Sequence, residues 1–320
     1  MTTPAIPQEH GSVALIFPGQ GSQFAGMAKD LAEESATARA LLERADDILG
    51  YSLSRIMAGE RGDELNRTVH TQPAVFVHSM ALLEVLRERH PLNPVMAAGH
   101  SLGEYSALCA AGVLDFDEAL DTIRVRAEGM DNAQPPGTCA MAALLGPSRE
   151  EALKIVETHR GDHVLEAANF NAPDQVVVSG HLEAVGRLVE AVKNEKRTRA
   201  VMLPVSSAFH TTLMEPAREA LVARLERVVL GNASFPVIAN VNAKPYPDSA
   251  HGVKQRLTAQ LVSPVLWEDC VRTMRANGVE LFLEVGPGKV LTGLMKRIER
   301  TVSAASIADL AGISSLGAQL

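Results

Sequence analysis

Pro94-Val95-Met96-Ala97-Ala98-Gly99-His100-Ser101-Leu102-Gly103 runs from a short apolar stretch into a glycine-flanked serine, and Leu102 to Ala111 continues at helical spacing. The order is strand, sharp turn, helix. In the pattern G-x-S-x-G the serine occupies a strained turn, and its small neighbours let the backbone bend without side-chain collision. The hydroxyl is thereby exposed, and the N–H groups that follow point to where an oxyanion would form. The competing explanation is an ordinary strand-to-helix turn with a serine N-cap. The buried-type strand before it and the amphipathic helix behind it favour a nucleophile.

Working outward, Val13 to Phe17 is a second short apolar run, ending at Pro18-Gly19-Gln20-Gly21, and helical periodicity follows from Phe24 to about Leu49. A further helix carries Ala74, Val75, Val77, Met80, Leu82, Leu83 and Leu86, with Gln72-Pro73 at its start, where proline suits a first turn. Residues 136–206 have their own rhythm. Strand Thr138–Leu145 precedes a helix Ser148–His159 with the capping-box pair Ser148 and Glu151; two strands then flank the turn Asn171-Ala172-Pro173-Asp174, and a helix Leu182–Lys193 leads to strand Arg199–Val205. That order, β-α-β-β-α-β, is a ferredoxin-like signature. Strands and helices alternate again from 207 to Ile298. The fold class is α/β, with a large subdomain formed by 1–135 and 207–320 and a small inserted subdomain at 136–206. The tail beyond Thr301 has weak periodicity and is expected to pack loosely, as is the polar start, Met1 to Gly11.

Of the 320 residues, 46% are hydrophobic, ample for a large core, but only 4% are aromatic, so aliphatic residues must fill it. A formal net charge of −8 argues against a nucleic-acid binder. No apolar run reaches the roughly 18 residues needed to span a bilayer. Cys109, Cys139 and Cys270 are scattered, with no CxxC pair, so neither disulfides nor a zinc site is expected. These features suit a cytoplasmic protein without a membrane partner.

A serine needs a base. Of ten histidines, His210, in Ser206-Ser207-Ala208-Phe209-His210, follows a strand and precedes a helix late in the chain, where it can face the turn. No acidic residue between the two stands out as its orienter. Phe17-Pro18-Gly19-Gln20-Gly21-Ser22-Gln23, Gly99-His100-Ser101-Leu102-Gly103-Glu104-Tyr105, Arg126, Ala208-Phe209-His210 and Glu284-Val285-Gly286-Pro287-Gly288-Lys289 together resemble the malonyl-CoA:acyl carrier protein transacylases, in order from about Val13 to Ile298.

The resemblance implies an α/β-hydrolase-like large subdomain around the ferredoxin-like insertion. It implies malonyl transfer from malonyl-CoA to the thiol of holo-acyl carrier protein, by a ping-pong route that supplies fatty acid synthesis. Ser101 matches the acylated serine and His210 its base. Gln20 and Leu102 match the oxyanion-hole N–H donors, and the main-chain carbonyl of Gln260 the acceptor that orients the histidine. Arg126 matches the group that grips the malonyl carboxylate, a task suited to a planar, always charged fork. Read without the resemblance, Arg126 is a helix-surface arginine beside Arg124. Phe209 resembles the malonyl-selective form of its loop, and Gln72, Asn169 and Gln175 are expected near the pocket. No metal or bound cofactor is implied.

Other patterns are weaker. Gly19-x-Gly21 lacks the third glycine of a dinucleotide fingerprint, and Gly286-Pro287-Gly288-Lys289 lacks P-loop spacing. His159 and His163 have helical ligand spacing, but Gly161 between them breaks the helix. The basic clusters Lys193, Lys196, Arg197, Arg199 and Lys289, Lys296, Arg297, Arg300 suit either docking of an acidic carrier protein or plain solvation. Three rivals stay open: a transferase for another acyl group or a polyketide pathway, a serine hydrolase or thioesterase on the same turn, and a non-catalytic carrier-binding module.

Overall fold

The structure is a computed structural model that describes residues 12–205 and 207–319; Met1 to Gly11, expected to be loose, lies outside them. Nine strands are present among these residues: β1 (Val13–Phe17), β2 (Met96–Gly99), β3 (Cys139–Leu145), β4 (Leu165–Ala172), β5 (Gln175–His181), β6 (Arg199–Met202), β7 (Val237–Ile238), β8 (Leu281–Val285) and β9 (Ser303–Ile307). They form two sheets, a five-stranded parallel one in the order β7-β2-β1-β8-β9 and a four-stranded antiparallel one in the order β4-β5-β3-β6.

The parallel sheet is short, apolar and covered on both faces, as such sheets must be. On one side Leu15, Phe17, Ala97, Leu283 and Val285 meet the long helix Thr68–Arg89; on the other Ala14, Ile16, Ala98 and Phe282 meet the helices Trp267–Ala276 and Val290–Ile298. Register matters for function. Phe17 pairs with Gly99, so the turns that leave β1 and β2 emerge side by side at the carboxyl edge. That edge is where open α/β sheets place their sites.

The antiparallel sheet carries the helices Arg149–His159 and Leu182–Val192 over a separate apolar cluster. The capping box at Ser148 and Glu151 is present. Two backbone hydrogen bonds, Phe170 N–H to the Val265 carbonyl and Val265 N–H to the Ala168 carbonyl, each 2.9 Å, tie β4 to the parallel-sheet unit.

Three expectations are corrected. The tail does not pack loosely: β9 extends the parallel sheet beside β8, and the helix Leu310–Gln319 buries Leu310, Ile313 and Leu316. Its strand, Ser-Ala-Ala-Ser-Ile, is too weakly apolar to show a period, yet small residues suit an edge covered by a helix. The helix placed after Pro73 begins five residues earlier, at Thr68, and Pro73 sits inside it, giving up one bond to the Val69 carbonyl. The stretch from Phe24 to Leu49 is two helices, Lys29–Glu34 and Ala36–Leu49, divided by Ser35, whose hydroxyl caps the second by accepting from Ala38 N–H at 3.1 Å.

Candidate active site

Ser101 is the hinge of the β2 turn. Its φ is +51°, in the left-handed region that L-residues rarely occupy, and the flanking glycines explain how such a bend is possible. A Cβ on Gly99 would stand 1.8 Å from the Gly103 carbonyl oxygen, and one on Gly103 would stand 2.1 Å from that of Phe17. Neither position can hold a side chain. Asn240, just past β7, secures the turn from below: its Oδ1 accepts from Ser101 N–H and its Nδ2 donates to the Gly99 carbonyl, each at 2.8 Å.

His210 reaches the serine from the loop after β6, also with a left-handed φ of +60°. Its Nε2 is 2.7 Å from Ser101 Oγ, and its Nδ1 is 2.9 Å from the main-chain carbonyl of Gln260. A carbonyl only accepts, so Nδ1 carries the hydrogen and Nε2 is left to take the serine proton. The Gln260 carbonyl thus stands, without a charge, where a Ser-His-Asp triad has its aspartate. Burial first, and then the Arg126 cation, lower the His210 pKa to about 3. The ring is neutral and available as a base throughout the physiological range.

Arg126 lies on the helix Phe116–Asn132, which is capped by Asp115. Its neighbours on the inner stripe are Ala119, Leu120, Ile123, Ala127 and Met130. Arg124 points outward and pairs with Asp121 and Glu128, so the two arginines on one helix have opposite surroundings. Arg126 is fully buried. Its Nη1 donates to Gln72 Oε1 at 2.5 Å, and its Nη2 lies 3.0 Å from both Gln260 Oε1 and Ser101 Oγ. Its Nε has no partner, and among the described residues no carboxylate comes within ion-pair distance. A buried cation held by two amide oxygens and a hydroxyl, all neutral, is left free to pair with an anion.

These groups face a cavity of about 110 Å³ lined also by Gln20, Gln72, Leu102, Met130, Met141, Asn169, Leu203, Val205 and Phe209. Among the described residues, neither the Gln20 nor the Leu102 backbone N–H has a hydrogen-bond partner. Gln175 does not join them. It starts β5 at the surface, and its side-chain oxygen accepts from Arg297 at 2.5 Å, so the Gln175 expectation is corrected. The family-like polar segment contributes Asn171 instead, whose Oδ1 accepts from His100 Nε2 at 2.8 Å.

Sequence reasoning missed Glu104 and Asn240. Glu104 is fully buried beneath the turn, where its carboxyl accepts from Asn240 N–H at 3.0 Å, Tyr246 O–H at 2.5 Å and the side-chain amide of Gln260. Burial pushes its pKa up to about 7 against the pull of those donors and of Arg126. The only sequence signal was a charged residue in the first turn of a helix without other charges.

The buried groups set a pH dependence of stability. His78, with its pKa lowered by burial to about 4, and His210 stay neutral in the fold, and burial lowers His100 too. The unfolded chain takes up protons on these rings below about pH 6.5, so stability falls as pH drops from 6.5 towards 4. Glu104 acts in the opposite sense between 4.5 and 7, because there the folded state holds the extra proton. His78 and His210 together outweigh the one carboxyl by an expected net loss on the order of 2 kcal/mol at pH 4.5, and His100 acts in the same direction. Urea midpoints at pH 7 and pH 4.5 check this; a higher midpoint at pH 4.5 contradicts it.

Comparison with known proteins agrees with this geometry. The acyl transferase domain family matches residues 14–316. The malonyl CoA-acyl carrier protein transacylase of Bacillus subtilis is 42% identical over 93% of this chain and 93% of its own length, and that of Escherichia coli K12 is 42% identical over 92% and 95%. Among solved structures, an acyl carrier protein S-malonyltransferase from Vibrio cholerae is 40% identical with a TM-score of 0.91, covering 95% of this chain and 99% of that one. A malonyl-transacylase in complex with a type II PKS acyl-carrier protein is 40% identical with a TM-score of 0.93, covering 97% and 100%. The chain belongs to the acyl transferase domain family and, within it, to the malonyl-CoA:acyl carrier protein transacylases.

Proposed function

We propose that this chain moves malonyl groups from malonyl-CoA to the phosphopantetheine thiol of holo-acyl carrier protein by way of a malonyl ester on Ser101, supplying fatty acid synthesis. The observation that carries the substrate choice is the buried Arg126 guanidinium, 3.0 Å from the nucleophile and without a carboxylate partner among the described residues. It suits an acyl group ending in its own carboxylate. An acetyl group would leave that cation unanswered in a buried site.

In the first half-reaction the Ser101 proton passes to His210 Nε2 as Oγ attacks the thioester carbonyl. The Gln20 and Leu102 N–H groups receive the oxyanion, a contribution of about 3 kcal/mol per donor in comparable sites. The tetrahedral intermediate collapses with loss of the coenzyme A thiolate, which takes the proton from His210, leaving the ester. In the second half the carrier thiol gives its proton to His210, attacks the ester carbonyl, and Ser101 Oγ leaves and regains the proton. Every proton and charge in this scheme has a side chain or backbone N–H assigned to it, and no metal or bound cofactor enters.

The antiparallel strand order β4-β5-β3-β6 with both helices on one face supports a ferredoxin-like small subdomain at 136–206. The parallel sheet with its nucleophile turn supports an α/β-hydrolase-like large subdomain built from 1–135 and 207–320. Phe209, on the cavity wall beside His210, is the group we assign to hindering a 2-methyl branch. Lys196, Arg197, Arg199, Lys289, Lys296 and Arg300 are exposed and suit an acidic carrier protein, whereas Lys193 is paired with Glu190 at 3.2 Å and Arg297 with Asp174 at 2.7 Å. Three free cysteines fit a cytoplasmic location. No helix among the described residues is long and apolar enough to cross a membrane.

Initial rates with malonyl-CoA and holo-acyl carrier protein both varied test the scheme. Parallel double-reciprocal lines are expected, with little acyl release to water. Intersecting lines exclude the ester route, and rapid hydrolysis that ignores the carrier protein points to a thioesterase.

A further inference from the structure

Gln260 ends the helix Ala250–Gln260 and is fully buried, yet it meets four functional groups. Its main-chain carbonyl accepts from His210. Its Nε2 donates to the Ser101 carbonyl at 2.9 Å and to the Glu104 carboxyl, and its Oε1 accepts from Arg126 at 3.0 Å. A side-chain amide has one donating end and one accepting end, and here only one orientation satisfies every neighbour. Turned over, the NH₂ would face the guanidinium, donor against donor, while the oxygen would face two acceptors. Each such mismatch strands a buried polar group without a partner, which is costly.

We propose that Glu104 is a positioning residue that fixes the amide orientation of Gln260 and so keeps the Arg126 guanidinium aimed at the acyl group. The inference rests on Arg126 receiving the substrate carboxylate. An ionised carboxylate can only accept, so it draws Nε2 towards itself and leaves Oε1 for Arg126. Glu104 is itself immobilised by Asn240 N–H and Tyr246 O–H, both on the segment after β7 that also braces the Ser101 turn. Asn240 braces the Ser101 turn and the Gln260 main-chain carbonyl serves His210 whichever way the amide lies, so the arginine's acceptor is what depends on Glu104. Glu104 touches no reacting atom; its influence passes through Gln260.

Glu104→Gln tests this at pH 8, where the native carboxyl is ionised. The substitution keeps the shape and replaces one accepting oxygen with NH₂. Gln260 is then expected to turn over and present its own NH₂ to Arg126. KM for malonyl-CoA is expected to rise tenfold or more, while the rate of Ser101 acylation by acetyl-CoA stays within threefold of wild type. Glu104→Asp, which keeps an acceptor-only group, should restore much of the malonyl KM. Equal losses on malonyl- and acetyl-CoA, or no change on either, overturn the proposal. Arg126→Ala is run alongside: malonyl kinetics insensitive to it dispose of the carboxylate reading, whereas a loss in Arg126→Ala with none in Glu104→Gln disposes of the positioning role alone. Should Glu104→Gln be insoluble, exchanging the pair as Glu104→Gln/Gln260→Glu suggests itself. That pair, however, would set an acceptor-only carboxylate against the Ser101 carbonyl, so Tyr246→Phe takes its place: it removes one donor that immobilises Glu104 without touching Gln260, and KM for malonyl-CoA should rise at least threefold while acetyl-CoA acylation stays within threefold. Equal losses on both thioesters in Tyr246→Phe, or no change on either, overturn the proposal.

Discussion

Replacing Ser101 with alanine will lower kcat for malonyl transfer on the order of 10⁴-fold or more, with little change in stability. The magnitude follows from removing the only atom that can hold the acyl group between the two half-reactions; knocking out a serine or its histidine in comparable hydrolases costs even more. Stability should hold because the hydroxyl contacts only His210 and Arg126, both of which keep other partners. The left-handed φ of +51° strains alanine and serine alike. Transfer assays with holo-acyl carrier protein, together with a thermal melt, check both parts. A variant that folds and still transfers malonyl groups within tenfold of wild type contradicts the assignment of the nucleophile.

The second large effect belongs to Arg126. Arg126→Ala is expected to lower kcat/KM for malonyl-CoA by about 10² to 10³-fold, matching the 3–5 kcal/mol of an ion pair broken in a buried site. Acetyl-CoA has no carboxylate to lose, so its kcat/KM should hold or rise, and the preference between the two substrates should shrink by at least 10²-fold. The fold should tolerate the change. Burial lowers the Arg126 pKa, so the cation is held there against its hydration, and its removal relieves that penalty while leaving the Gln72 and Gln260 oxygens unpaired. Parallel rate measurements with the two thioesters check this. A uniform loss on both indicates a damaged site and not a missing recognition group.

How much of this could be read from the chain depends on where the information is held. The sharp turn at Ser101 was legible because the two glycines around it are demanded locally: no side chain fits at 99 or 103. The antiparallel sheet and its two helices were legible because each of these elements carries its own apolar period and its own turn or cap, down to Ser148 and Glu151. Arg126 was half legible. Its inner stripe shares spacing with Leu120, Ile123, Ala127 and Met130, while Arg124 falls outside that stripe, but the aim of its guanidinium comes from tertiary packing. The acceptor for His210 is a backbone carbonyl, which every residue possesses, so only the resemblance pointed to Gln260. The Gln260 side chain, Asn240 and Glu104 act through partners about 130 to 160 residues distant in sequence, which no local pattern records. Gln175 failed for a related reason, since its place next to a polar turn said nothing about Arg297 arriving from the far end of the chain.

The central claim is that the acyl group rests on Ser101 while its far carboxylate is held by Arg126. It is tested most directly by exposing the protein to malonyl-CoA for seconds without carrier protein, quenching in acid, and mapping the digest by mass spectrometry. The peptide containing Ser101 should carry one malonyl group, and the label should vanish on adding holo-acyl carrier protein. An unlabelled peptide, or a label on another residue that survives in Ser101→Ala, contradicts the account.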